Sequence, residues 1–406
     1  MKTQPGKKKQ SFKMPFFRSP TENKTTIPSW YSSLQAYVQQ PGQAVWSNRN
    51  YANFAEEAYQ KNVIANQAVQ MIAKGISSIA IRAYDSDVCD ARDHALCCIL
   101  RKPNPMQDKT AFFEMCASYY LLSGNVFIHT VQTGEDALPR ELYVLRPDRV
   151  KVIAGTYSLP RAYVYQVNHK ETVFPVHSVS GESAILHIKH FNPLNDWYGT
   201  SPAQAASYSI DQHNQAAAWN QSLLQNGARP SGALVMSTGD GNTRLSEDQF
   251  WRLKNQVDEQ FSGAHNAGRP LLLEGGLEWK EMSLNPRDMD FLNIKNSSAR
   301  DIALAFGVPP QLLGIPGDNT YSNLAEARIA LWEHTIIPLA QHFYTQLQQW
   351  LNPRFGSNIE LKLDLDSISA LAPKREAAWR RINEATFLSD TEKRTMLGLS
   401  AEVNDG

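Results

Sequence analysis

Apolar residues in the first half of the chain recur first at helical and then at strand spacing. Ala65, Val69, Ile72 and Ile76 fall three or four positions apart, which predicts a helix over 55–77. A short polar strand is expected over 79–84. Phe112, Phe113, Met115, Tyr119 and Leu122 give 107–123 a broad apolar helical face, with Gly124 as its stop. Strand-type runs follow at 125–132, 141–145, 149–154, 162–167 and 184–190. Gly134, Pro139, Pro147, Asp148 and Gly155 punctuate them. This half therefore reads as α+β.

From Thr200 the pattern changes. Ser201 followed by Pro202 is a helix start with proline at its first position, and Gly227 is a stop. Gln204, Gln212, Asn214, Gln215, Asn220, Gln221 and Gln225 dominate the segment, and Asp211 is its one full charge. So polar a helix is expected to stay out of the chain's own core. The lack of charge is also unusual for a free surface, and the expectation is a helix wedged between copies of itself. Residues 228–284 read as a separate small α/β unit. It has a turn at Gly239–Asn242, a capping box of Ser246 and Gln249, and strands at 271–273 and 277–284. A second long helix opens with Asn285 and Pro286, reaches Phe306 and stops at Gly307. Two helices flanking an insert can pair antiparallel and hold the insert out on a stalk.

A loop rich in Gly, Pro, Asp and Asn spans 314–322. A third helix over 323–350 carries an apolar stripe of Ile329, Trp332, Ile336, Leu339, Phe343, Leu347 and Trp350, with a kink expected at Pro338. Ile359, Leu361, Leu363 and Leu365 alternate with polar residues as in a half-buried strand. Pro373 opens one short terminal helix. Ser389 and Glu392 form a capping box for another, which Gly398 ends.

Composition narrows the function. The chain has 406 residues, long enough for several domains, and its 40 Lys+Arg balance its 40 Asp+Glu. Neutrality argues against a generic polycation for nucleic acid or acidic membrane, though not against local patches. Seven basic residues face only Glu22 within 1–30, alongside four prolines. That segment reads as a solvated arm or as one that touches nucleic acid or a partner. Cys89, Cys97, Cys98 and Cys116 show no zinc-type spacing and suggest mostly buried thiols in a reducing compartment. No apolar run reaches the ~18 residues of a membrane-spanning helix, so no membrane role is expected.

Familiar chemical motifs are missing. There is no GxxxxGK[ST] phosphate loop, no GxSxG and no HExxH. His187 and His190 fall on opposite faces of a strand, which is poor geometry for a shared metal. Asp364 and Asp366 fall on one strand face and could hold a divalent ion, or simply be solvated. Gly239–Asn242 hints at a calcium loop, but Arg244 and Leu245 break the ligand ladder. No enzyme activity and no cofactor are expected. The alternative is a Mg²⁺-dependent nucleic-acid enzyme using Asp364 and Asp366.

Several strings in order carry a resemblance. They are LRKPNPMQDKTAFFEM at 100–115, YYLLSGNVFIHTV at 119–131 and LYVLRPDRVKV at 142–152. Then come ILHIKHF with YGTSPAQAA across 185–206, AFGVPPQLLG at 305–314, YSNLAEARIALWEHTIIPL at 321–339 and FLSDTEKRTMLGLS at 387–400. Together they resemble the HK97-type tailed-phage portal proteins and their gene transfer agent relatives, over about 60–400. The resemblance implies a portal fold: a wing, a two-helix stem, a small α/β clip, a kinked long helix and a short C-terminal helical crown. Its parts would be an N-terminal arm at 1–30, wing at 31–199 and 323–366, stem helices at 200–227 and 285–307, clip at 228–284, tunnel loop within 308–322, and crown at 367–406. It implies a homo-oligomeric ring, usually of twelve copies, at a capsid vertex, assembled in the host cytoplasm. Double-stranded DNA passes through such a ring. The partners implied are the terminase large subunit, a head–tail adaptor and the major capsid protein.

Site residues follow from the same mapping. Gly317, Asp318, Asn319, Thr320 and Tyr321 would face DNA. Arg244, Arg252, Lys254 and Glu259 would dock terminase or adaptor. Gln204, Tyr208, Gln212, Gln215 and Trp219 would pack stems against neighbours. The residues support this in their own right. The 228–284 insert carries six basic against eight acidic side chains, a mixed face suited to a protein partner. A neutral chain also suits a conduit, because each firm Lys/Arg–phosphate contact would hold DNA that has to slide.

Overall fold

The computed structural model describes residues 51–84, 94–132, 138–155, 159–225, 232–236, 247–248, 251–252, 255, 277–281, 291–317, 321–356 and 358–397. The chain divides into a unit of 1–46, which lies outside the described residues, and a unit of 47–406. The basic arm, Cys89, Gly239–Asn242, the Ser246–Gln249 box, the strand at 271–273, the Asn285–Pro286 start and the Gly398 stop also lie outside them.

The expected helix over 55–77 is interrupted. Phe54–Gln60 forms a wide π-turn, and α1 (Val63–Ser78) restarts behind Asn62, whose side-chain oxygen accepts the Ala65 N–H. An asparagine that can cap both ends one run and begins another. β1 (Ala80–Tyr84) follows as expected. α2 (Ala95–Arg101) was not anticipated; at seven residues it is too short to show a period. α3 (Lys109–Ser123) is capped by Asp108 and stopped by Gly124 at φ +73°, a left-handed value that glycine adopts without strain.

β2 (Asn125–Val131), β3 (Glu141–Leu145), β4 (Val150–Ile153), β5 (Ala162–Val167), β6 (Lys170–Pro175) and β7 (Ile185–Lys189) form two three-stranded antiparallel sheets, ordered β3-β2-β7 and β4-β5-β6. β6 escapes sequence reading because it is an exposed polar edge strand. It follows a tight turn in which Asn168 and His169 both take positive φ. Phe127, Leu145, Val150, Tyr163 and Ile185 fill the space between the two sheets.

α4 (Pro202–Ala205) and α5 (Ser207–Gln225) form the expected long helix with a break at Ala206. The insert contains an antiparallel pair, β8 (Gly232–Met236) and β9 (Leu277–Glu281). α6 (Phe291–Phe306) ends at Gly307 with φ +68°, and the Val308 N–H closes on the Ala303 carbonyl. α7 (Tyr321–Leu331) and α8 (Ile337–Phe355) are joined by a π-turn at Trp332–Ile336. Here the expected kink takes a defined form: Pro338 supplies no N–H, and the wider turn absorbs the missing bond. β10 (Glu360–Asp364) pairs with β1, and α9 (Ala372–Glu384) and α10 (Asp390–Met396) complete the chain. The expected capping box of Ser389 and Glu392 is formed.

The main core joins α1, α3, α8 and the inner sheet, with Phe112, Phe113, Phe343 and Tyr344 among its fully buried side chains. Cys116 lies in it, whereas Cys97 is half-buried and Cys98 exposed, so the thiols are less buried than expected. Two further expectations are corrected. Ala203, Ala206 and Ile210 belong to the main core, so the polar helix does enter the chain's own interior, using small residues and one isoleucine. Asp364 and Asp366 do not share a strand face, because β10 ends at Asp364 and a 3₁₀ turn carries Asp366.

Candidate functional site

The helix pair of α5 and α6 starts from a fixed base. Ser201 Oγ accepts the Gln204 N–H at 3.0 Å, and Pro202 occupies the first turn. Just upstream, buried Asn125 holds the approach. Its Oδ1 accepts from the Gly199 N–H at 2.8 Å and from His187 Nε2 at 3.0 Å. His187 also stacks on Phe127, with ring centroids 4.2 Å apart. Burial pushes its pKa from 6.5 to about 3, so it stays neutral. His190 lies beyond the end of β7 and is exposed. The two histidines thus do different things, but not as opposite faces of one strand: the strand stops at Lys189, before His190.

Two faces run along α4 and α5. Ala203, Ala206, Ile210, His213 and Ala216 are buried. Gln204, Tyr208, Gln212, Gln215 and Trp219 recur at three- and four-residue steps on the opposite side, and all are exposed. The structure therefore gathers the five expected stem residues into one uncharged stripe. α6 packs beside α5, with Ser209 Oγ donating to Asp301 Oδ2 at 3.4 Å and Ser298 Oγ to Gln212 Oε1 at 3.3 Å. α6 adds apolar groups of its own to the surface, with Leu292 71% and Leu304 79% exposed.

Sequence reading missed the polar lock behind this stripe. The Asn62 amide donates to His213 Nδ1 at 3.2 Å and to Asn214 Oδ1 at 3.0 Å. Asn214 Nδ2 in turn donates to the Glu57 carbonyl at 3.0 Å. With Nδ1 accepting, His213 carries its proton on Nε2. Burial first, and the Lys295 charge second, hold its pKa down. The available signal was the Asn62 cap and a histidine on the alanine face, which pair only in three dimensions.

Of the expected DNA-facing residues, Gly317 is described and Tyr321 opens α7, while Asp318, Asn319 and Thr320 lie outside the described residues. Ile315, just before them, is buried against Ala299 and Ala303 of α6. Of the expected docking residues, Arg252 is exposed on a helical segment, and Arg244, Lys254 and Glu259 lie outside the described residues. Asp364 Oδ1 accepts from Arg82 Nη2 at 3.0 Å, and Asp366 lies 3.6 Å from Arg375. A divalent ion there would compete with two guanidinium groups. Among the described residues no cluster of three His, Cys, Asp or Glu could hold a metal.

The sequence profile of the family described as phage portal protein matches residues 64–398. The chain belongs to the phage portal family. An uncharacterized protein from Rickettsia bellii is 45% identical over 351 residues, covering 86% of this chain and 89% of its own. Among solved structures, a chain in the neck of an empty gene transfer agent particle, computed with C6 symmetry, is 42% identical with a TM-score of 0.69, covering 90% of this portal-family chain and 98% of its own. A chain in the neck of the native particle, computed with C12 symmetry, is 41% identical with a TM-score of 0.67 over 91% and 99% of the two chains. An HK97-family phage portal from Corynebacterium diphtheriae shares the fold, at 17% identity and a TM-score of 0.56 over 80% and 99%. The α+β portal fold read from the sequence is thus the fold of this chain.

Proposed function

We propose that copies of this chain form a portal ring of twelve at one capsid vertex, around a channel through which double-stranded DNA is packaged and ejected. Residues 200–227 and 285–307 act as the stem, 228–284 as the clip, 314–322 as the tunnel loop and 367–406 as the crown. The clip serves as the platform for the terminase large subunit and later for a head–tail adaptor, and the wing meets the major capsid protein. The chain does no chemistry; its partners supply the energy. The ring assembles in the host cytoplasm and stays in the particle.

One observation carries this reading: the stripe of Gln204, Tyr208, Gln212, Gln215 and Trp219, exposed and uncharged opposite a face that the chain buries itself. Amide and aromatic side chains can hydrogen-bond and pack against a neighbour without desolvating a charge. The likeness to gene transfer agent neck chains supports the same arrangement. A ring of identical subunits uses heterologous contacts, in which the stripe meets a different face of the next copy. The exposed Leu292 and Leu304 of α6 offer such a face. Inside the ring, loops that brush DNA with weak polar groups let it slide while resisting back-slip.

The test is a double substitution, Tyr208→Asp with Trp219→Asp. It should abolish rings in sizing and mass measurements while leaving the monomer's circular dichroism unchanged. Intact rings would overturn the stripe's role. Deleting 317–321 should leave rings intact and reduce the DNA retained in particles. Unchanged retention would count against the loop's role.

A further inference from the structure

We propose that Arg300 is the positioning residue that fixes how far the 314–322 loop reaches from the stem; the inference rests on the reading of that segment as the tunnel loop. Arg300 is on an exposed face of α6, yet its Nη2 donates to the Pro316 carbonyl oxygen at 2.5 Å. One residue earlier Ile315, only 4% exposed, packs against Ala299 and Ala303, which lie on the same helical turn as Arg300. The loop root is therefore held to α6 by two different fastenings side by side, an apolar plug and a charge-assisted hydrogen bond.

The two fastenings differ in consequence. The plug fixes Ile315. The guanidinium fixes the chain one residue further on, and it also fills the space beside Gly317, where an added methyl group would meet Nη2 at 3.4 Å. The chain is thus held to the helix as far as Pro316 and Gly317 rather than to Ile315 alone. Two residues released from the helix could extend the free loop by roughly 7 Å, at up to ~3.6 Å per residue. Each copy in a ring would repeat that change around the same axis. A hydrogen bond from a charged donor is about twice as strong as a neutral one, which suits a contact that must hold while a duplex moves past. The contact also couples the loop to the stem, since α6 cannot rotate or shift without carrying Pro316 along.

The experiment uses the full chain assembled as it forms. Arg300→Met keeps much of the apolar length and removes every donor, while Arg300→Lys keeps a charge and a donor. Cleavage at the Gly317–Asp318 bond by an endoprotease that cuts before aspartate, thermal unfolding and DNA retained per particle are measured for each. In Arg300→Met that bond should be cut about tenfold faster, as expected for one lost charged hydrogen bond at the Pro316 carbonyl. The melting temperature should stay within about 2 °C. DNA retention should fall toward that of the 317–321 deletion, and Arg300→Lys should recover most of both losses. Cleavage within twofold of the unaltered protein would overturn the proposal. So would fast cleavage with unchanged retention in particles whose 317–321 deletion does lose DNA. If that deletion leaves retention intact, the tunnel-loop reading fails, and the cleavage result alone decides whether Arg300 fastens the root.

Discussion

Gly199 lies against Gly124 so closely that a methyl group on Gly199 would stand 2.2 Å from the Gly124 carbonyl oxygen. That same oxygen accepts the His190 N–H, and Gly124 itself sits at φ +73° as the stop of α3. Two glycines thus let three segments meet where the sheet hands the chain to α4.

Gly199→Ala should therefore destabilise the protein by at least about 2 kcal/mol, because the atoms it would meet belong to the Gly124 and His190 backbone and cannot yield as a side chain would. Thermal unfolding reads this directly. A melting temperature equal to that of the unaltered chain would show that the contact is looser than the structure has it.

Acid should weaken the fold through buried histidines. His187 is held at about 3 instead of 6.5 by burial, with Lys189 acting in the same sense. His213 and His342 shift the same way, with burial again the first cause. The unfolded chain then binds protons that the folded chain refuses, so stability is whole above the unfolded value of 6.5 and declines as pH falls toward 3. For His187 alone the slope approaches about 1.4 kcal/mol per pH unit in that window. His187→Gln keeps a donor for Asn125 and removes the titration. Its urea midpoint should fall less between about pH 6.5 and pH 5 than that of the unaltered chain. Equal falls would assign the acid sensitivity to other groups.

The π-turn at Trp332–Ile336 touches three parts of the molecule. Thr335 Oγ1 donates to the Gly307 carbonyl at the end of α6, at 2.6 Å. Glu333 accepts from Lys374 of α9 at 2.6 and 2.7 Å. Ile336 fills the notch at Gly75 of α1, where an added methyl group would meet its Cδ1 at 2.5 Å. Alanine at 75 would gain up to about 1 kcal/mol of helix propensity, but overpacking costs about 1–3 kcal/mol. Gly75→Ala should thus destabilise by about 1 kcal/mol, and Ile336→Val should relieve part of that loss in the double variant. Additive effects would mean that the two residues do not press on each other.

The long elements were legible because their patterns are local. The α8 stripe, the Ser201–Pro202 start, the Gly307 stop and the Ser389–Glu392 box each lie within a few residues of one another. The exposed stripe along α4 and α5 was legible too, as amide and aromatic residues at helical steps. What escaped was non-local or weakly patterned. β6 is polar because it is an exposed edge, and α2 is too short for a period. The whole of α5 reads as polar in sequence, yet its Ile210, His213 and Ala216 bury well once Asn62 and Asn214 satisfy the polar groups behind them. Asp364 and Asp366 looked paired only because a strand was extended past its true end. The Arg300–Pro316 bond joins residues sixteen apart across a turn, and no spacing rule points to it.

The central claim is that copies of this chain close into a ring around a channel. Electron microscopy of the purified protein, with its mass measured in the same preparation, tests this most directly. The account predicts closed annuli of twelve subunits with a central opening wide enough for duplex DNA. A protein that stays monomeric at every concentration, or that closes around no opening a duplex could enter, would contradict it.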